Sequence, residues 1–220
     1  MSWESTVFYY QQINREINYR LGGLHSAQMI MNSVDFAPIE RHQHAGEWDA
    51  TADILCSAAQ SLERAGADFF LICTNTMHKV ADRVAASVKI PLLHIAEATC
   101  AELQSAGINK VGLLGTAFVM EQRFYIDRLQ QAGIEVAVPP ENERKIVHEV
   151  IYHQLCHGIV NDESRQQYLQ IIRGLAKAGA QAVILGCTEI GMLVKQADTS
   201  IQLFDTTLIH ARQAVRQAID

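Results

Sequence analysis

Two stretches of this chain superpose without a gap: Ala65-Gly-Ala-Asp-Phe-Phe-Leu-Ile-Cys-Thr-Asn-Thr76 and Ala178-Gly-Ala-Gln-Ala-Val-Ile-Leu-Gly-Cys-Thr-Glu189. Each reads as a helix end marked by glycine, then a buried strand, then a polar loop that opens the next helix. Along the rest of the chain short apolar runs alternate with amphipathic stretches. A repeat set in that pattern restricts the fold to strand and helix units packed around parallel sheets. Strands are expected at Ser26–Asn32, Asp68–Cys73, Pro91–Ile95, Lys110–Gly115, Glu135–Val138, Gln181–Gly186 and Ile201–Phe204. The two halves share one order of elements, except that the first lacks an opening strand. Lys110–Gly115 leads into Thr116 and a helix, whereas the first half starts directly with Met1-Ser-Trp-Glu-Ser-Thr6 and a helix running to about Tyr19.

The expected architecture is therefore α/β: two doubly wound parallel-sheet domains related by a pseudo-twofold axis, the first strand of the N-terminal domain missing. Residues 1–97 with the C-terminal helix 207–220 form one domain, and 98–206 the other. Ligands are expected at the carboxyl ends of strands, in the cleft between the domains. In the repeat Thr74 takes the place of Cys187 and Asn75 that of Thr188. The pseudo-twofold would put Thr74 and Cys187 on opposite walls.

Composition narrows the partners. Hydrophobic residues make up 49% of the 220, enough for a substantial core, and the net charge of −6 leaves no basic stripe for a phosphate backbone. Nucleic acid is not an expected partner. No apolar run approaches the roughly 20 residues that span a bilayer, and Met1–Thr6 lacks the regions of a signal peptide, so no membrane is expected and the chain reads as cytoplasmic. Its five cysteines are odd in number and never in a Cys-x-x-Cys pair, which suggests neither a disulfide framework nor a zinc knuckle. His148, Glu149, His153, Cys156 and His157 resemble a metal cluster at first sight. The zincin pattern needs His-Glu-x-x-His, here the second histidine falls one place late, and a solvated helix is the better account. No metal or other cofactor is expected.

A special cysteine in such a chain is special for its thiol. Cys187, at a strand end leading into a helix, is placed to become a thiolate and take a proton from a carbon acid. Cys56, Cys73, Cys100 and Cys156 read as small buried hydrophobes. Thr188 and the loop amides offer donors for a carboxylate, as do Asn75, Thr76 and Thr116 from other loops. Thr74 and Thr188 also suit helix N-caps. Glu189 either orients the surroundings of the thiol or starts a helix, where the dipole favours a carboxylate. His78 and His94 read as structural hydrogen-bonders. Arg41 is one candidate among several for a substrate's side-chain carboxylate.

Cys73-Thr-Asn-Thr-Met-His78 and Leu185-Gly-Cys-Thr-Glu-Ile-Gly191 resemble the two signatures of the aspartate/glutamate racemase family, and the resemblance covers essentially the whole chain. It implies racemisation without pyridoxal phosphate or metal, commonly in a homodimer. Glu189 after Cys-Thr, where glutamate racemases usually carry histidine, favours the aspartate branch or a broader amino-acid racemase. Ser5 and Thr6 fall in the family's segment after its first strand and become substrate-side donors.

Two departures stand out. The family's first cysteine sits directly before Asn-Thr, and here Thr74 holds that place. Cys73, one residue earlier, should face away. The catalytic pair becomes Cys187 and Thr74, with a preference for L-substrates. The missing strand is central in the family's first sheet, which suggests that translation begins roughly ten residues upstream, a strand and its turn. Rival readings are a related enzyme of the superfamily (hydantoin racemase, maleate isomerase or decarboxylase type) and a non-catalytic amino-acid-binding protein.

Overall fold

The computed structural model describes every residue from Met1 to Asp220, and the chain divides into two units: Met1–His94 with Ala211–Asp220, and Ile95–His210. The repeat shows itself first at two helix ends. Helix α3 (Trp48–Arg64) and helix α9 (Asp162–Lys177) close on Ala65-Gly66 and Ala178-Gly179. Gly66 and Gly179 both take positive φ, 87° and 92°. In both, the glycine N–H bonds three residues back (Glu63, Ala176) at 3.0 Å, and the next alanine N–H reaches Leu62 or Leu175 at 3.1 Å. This is the double closure of a helix by a left-handed glycine, and a β-carbon there would be strained.

In the unit Ile95–His210 the elements are α5 (Ile95–Ser105), β3 (Lys110–Gly115), α6 (Ala117–Glu121), α7 (Arg123–Gln131), β4 (Glu135–Ala137), α8 (Glu141–His153), α9, β5 (Ala182–Gly186), α10 (Ile190–Leu193) and β6 (Gln202–Asp205). Helix α11 (Thr206–Ile219) begins there. The strands form one parallel sheet in the order β4-β3-β5-β6. Alternate residues feed two cores. Val183 and Leu185 of β5 join Leu114, Ile172 and Leu175 on one face, while Ala182 and Ile184 join Val111, Leu113, Leu103 and Leu129 on the other. A parallel sheet covered on both faces needs such unbroken apolar strands. Each buried leucine or isoleucine contributes about 1.5–3 kcal/mol.

The other unit holds α1 (Trp3–Leu21), α2 (Phe36–Ala45), α3, β1 (Phe70–Leu71), α4 (Ala81–Ala86) and β2 (Leu92–Leu93). Ser2 caps α1 by accepting the Ser5 N–H. Helix α3 buries Thr51, Ala52, Leu55 and Ala59 along one stripe, against a core of Ile39, Phe70, Ile72 and Met77. Its sheet is only the parallel pair β1-β2. The repeat aligns Phe70-Leu71 with Val183-Ile184, yet β1 spans 2 residues and β5 spans 5.

The strand expected at Ser26–Asn32 does not form: the segment is extended but belongs to no sheet. A strand exists only through its neighbours' hydrogen bonds. In the repeat this segment corresponds to β4, which pairs only with β3, and unit one has no counterpart of β3. A cavity of about 1200 Å³ in this unit is lined among others by Tyr10, Ile30, Met31, Phe70 and Ile72. β1 is bonded on one side alone, to β2.

Candidate active site

Three consecutive residues after β5 make a buried polar cluster in the unit Ile95–His210. Cys187, Thr188 and Glu189 are all buried. The Cys187 Sγ–H donates to Glu189 Oε2 at 2.9 Å, and the Thr188 hydroxyl donates to the same oxygen at 2.8 Å. Two glycines bring this cluster beside the loop after β3. Gly115 and Gly186 are register partners, so Thr116 and Cys187 follow directly on neighbouring strands. A β-carbon on Gly186 would stand 2.9 Å from the Leu114 carbonyl oxygen, so the close approach needs glycine. Thr116 caps α6, its hydroxyl accepting the Val119 N–H at 3.4 Å.

The Cys187 thiol is held well above the ordinary thiol range. Loss of water is the main cause, followed by the negative charges of Glu189 and Cys156 and the hydrogen bond to the Glu189 carboxylate; the Glu189 backbone N–H pulls weakly the other way. The resting group is thus a neutral thiol. Tyr168 is also raised, chiefly by burial. Its hydroxyl donates to the Val147 carbonyl at 2.8 Å. Asp205, at the end of β6 next to the strand that carries Cys187, is raised by loss of water despite accepting the Thr207 and Leu208 N–H groups. Gly191 leaves room for it, since a β-carbon there would collide with Asp205 Oδ2.

The remaining sequence candidates lie in the unit that starts at Met1. Thr74 donates its N–H to the Ile72 carbonyl and accepts from the His78 ring at 2.8 Å. His78 and His94 are buried with ring centroids 4.3 Å apart. Asn75 and Thr76 are buried at the start of a single 3-10 turn, Thr76–Val80. Neither Thr74 nor Thr188 is an N-cap: Asn75 and Glu189 hold those positions, without side-chain capping bonds. Cys73 lines the cavity and Thr74 does not, and burial pushes the Cys73 thiol to about 11. Ser5 and Thr6 both donate their hydroxyls to the Ser2 carbonyl, at 3.2 and 3.1 Å. Arg41 is exposed on α2.

Sequence reasoning passed over two groups. His148 accepts the Ala117 N–H at 3.1 Å, beside Thr116, while α8 buries Val147, Val150 and Ile151 and leaves Glu149 and His153 exposed on its solvated face. Cys156 lies within electrostatic reach of Cys187 and packs on the same core. Contacts between residues so far apart in the chain leave no local signal. No group of three or more His, Cys, Asp or Glu side chains converges in a way that could hold a metal ion, including the set from His148 to His157.

Together these features define a parallel α/β protein that places a buried thiol and carboxylate at the end of a central strand. The chain belongs to the Asp/Glu/Hydantoin racemase family, whose model matches residues 1–214. It is similar to a crystal structure from Yersinia pestis assigned provisionally as an Asp/Glu racemase, at 49% identity and a TM-score of 0.92, covering 100% of this chain and 96% of that one. An aspartate racemase homologue from Pyrococcus horikoshii OT3 is 34% identical with a TM-score of 0.83, covering 99% and 95%. Among curated relatives, the broad specificity amino-acid racemase RacX of Bacillus subtilis is 22% identical over 174 residues, 76% of this chain and 72% of the relative. No helix is long and apolar enough to cross a membrane.

Proposed function

We propose that this protein racemises amino acids without pyridoxal phosphate, acting on L-aspartate, L-glutamate or a broader set. Cys187 takes the α-proton, and the planar intermediate regains a proton from Thr74. The observation that carries this reading is the buried Cys187 thiol bonded to Glu189 at the carboxyl end of β5, where open α/β sheets place their ligands. Thr116, at the adjoining strand end, is a candidate donor to a substrate carboxylate. Similarity to an aspartate racemase homologue and to a broad specificity amino-acid racemase supports the substrate class.

The internal repeat pairs Cys187 with Thr74, and a threonine hydroxyl is a far weaker acid than a thiol. The enzyme is therefore asymmetric and favours L-substrates. Deuterium incorporation at Cα in heavy water, measured from both enantiomers of aspartate and glutamate, tests this. Exchange faster from the L-form, abolished by Cys187→Ala, is the expected result. If no amino acid exchanges while Cys187→Ala still binds one, the protein is a binding module instead.

A further inference from the structure

In the unit Ile95–His210, β3 lies between β4 and β5 and pairs with both. Through the repeat, Phe70, Leu71 and Ile72 stand where Val183, Ile184 and Leu185 stand, the register partners of Gly112, Leu113 and Leu114. Yet β1 is bonded to β2 alone, so its other edge is open. The cavity of about 1200 Å³ is lined both by Asp68–Cys73 and by Ser26–Asn32, the counterparts of the two strands that β3 joins. An open strand edge beside an apolar trough is where another chain can add a strand. We infer that this cavity is a docking groove for an extended segment of a partner polypeptide, laid parallel to β1 between it and Ser26–Asn32.

The groove specifies the segment residue by residue. It exceeds the roughly 300–1,000 Å³ of small-molecule pockets. Ile13 and Ile17 of α1, Leu55 and Leu62 of α3 and Val215 of α11 line it, with Asp68 as the one carboxylate and no lysine or arginine. The segment is therefore apolar on both faces, as β3 is, where Val111 and Leu113 feed one core and Leu114 the other. Its third residue is glycine. A β-carbon on Gly112 would stand 2.8 Å from Leu175 Cδ1 and 3.2 Å from Val183 Cγ2, and the groove carries Leu62 and the larger Phe70 in those places. Its first residue is a cation: the Gln181 N–H donates to the Lys110 carbonyl at 2.9 Å, and Asp68 takes the place of Gln181. At the far end the Met1 amine donates to the Cys73 carbonyl at 3.4 Å, and Cys73 is the counterpart of Gly186, the partner of Gly115. The groove thus takes five residues, the pattern of Lys110–Leu114, about 17 Å of strand. A second copy is not the occupant, because its own β3 is already paired on both sides.

The test adds the blocked peptide Lys-Val-Gly-Leu-Leu to the full chain and follows amide hydrogen exchange and Tm. At ten times its Kd the peptide should slow exchange of both Gln28–Asn32 and Phe70–Ile72 by about tenfold and raise Tm. Leucine in place of its glycine should abolish both effects. Asp68→Lys, an exposed substitution, should weaken binding by up to about fivefold. Exchange unchanged at about 1 mM peptide overturns the docking groove, as does equal binding of the leucine peptide. Protection of Gln28–Asn32 that rises with protein concentration, no peptide being present, overturns it in favour of a second copy.

Discussion

Gly115 and Gly186 stand opposite one another in the register of β3 and β5, and a β-carbon on Gly115 would lie 2.8 Å from the Gly186 carbonyl oxygen. Backbone cannot yield as a flexible side chain would, so alanine at either position must part the strands just before Thr116 and Cys187. Overpacking of this kind costs about 1–3 kcal/mol, roughly 2–12 °C in Tm at about 2–4 °C per kcal/mol for a chain of this size. Thermal denaturation of Gly186→Ala should show that drop, accompanied by slower Cα exchange. A variant as stable as the wild type would mean that the strands do not approach so closely.

Replacing Thr74 by cysteine restores an acidic thiol at the position that the repeat pairs with Cys187. The expected outcome is a rise of at least about tenfold in kcat/KM from the D-enantiomer, a general acid–base gain, with a smaller change from the L-enantiomer. Initial rates from both enantiomers measure it, and an unaltered ratio contradicts the assignment of Thr74.

Hydrogen exchange should divide the chain sharply. Val183–Leu185 of β5 lie in a sheet bonded on both sides, whereas Gln28–Ser33 belong to no strand. Amides of the first segment should exchange slowly, on the scale of global unfolding, and those of the second at close to unprotected rates. Strong protection across Gln28–Ser33 would show a pairing partner for that segment.

Burial sets the Cys73 and Cys100 thiols to about 11, above the ordinary thiol value. A raised folded pKa means that the native state holds its proton more tightly than the unfolded chain. The stabilisation is complete below the unfolded value and is lost as pH rises towards 11. Tm should therefore fall between about pH 9 and pH 11, and Cys100→Ala should flatten that fall. An equal slope in the variant would assign the alkaline loss to other groups.

Much of this fold is legible in the chain because its signals are local. Lys110–Gly115 reads as a strand from its apolar run and emerges with the same bounds, and Gly179 marks the end of α9 as expected. Ser26–Asn32 carries the same apolar alternation and forms no strand, because pairing depends on a neighbour that local pattern does not report. The site follows the same rule. Cys187, Thr188 and Glu189 are consecutive, so their cluster could be read directly, although the sharing of one Oε2 by two donors could not. His148 and Asp205 reach their places through packing of α8 on β3 and pairing of β6 with β5, which no short motif encodes.

The matched closures at Gly66 and Gly179 have a consequence for engineering. Two helices hand over to two strands with the same glycine closure and nearly the same φ, although β5 is braced on both sides and β1 on one. One strand leads into Thr-Asn-Thr and the other into Cys-Thr-Glu. Exchanging the two tripeptides would therefore set each at the end of a differently braced strand, so the scaffold as well as the tripeptide decides what each half can do.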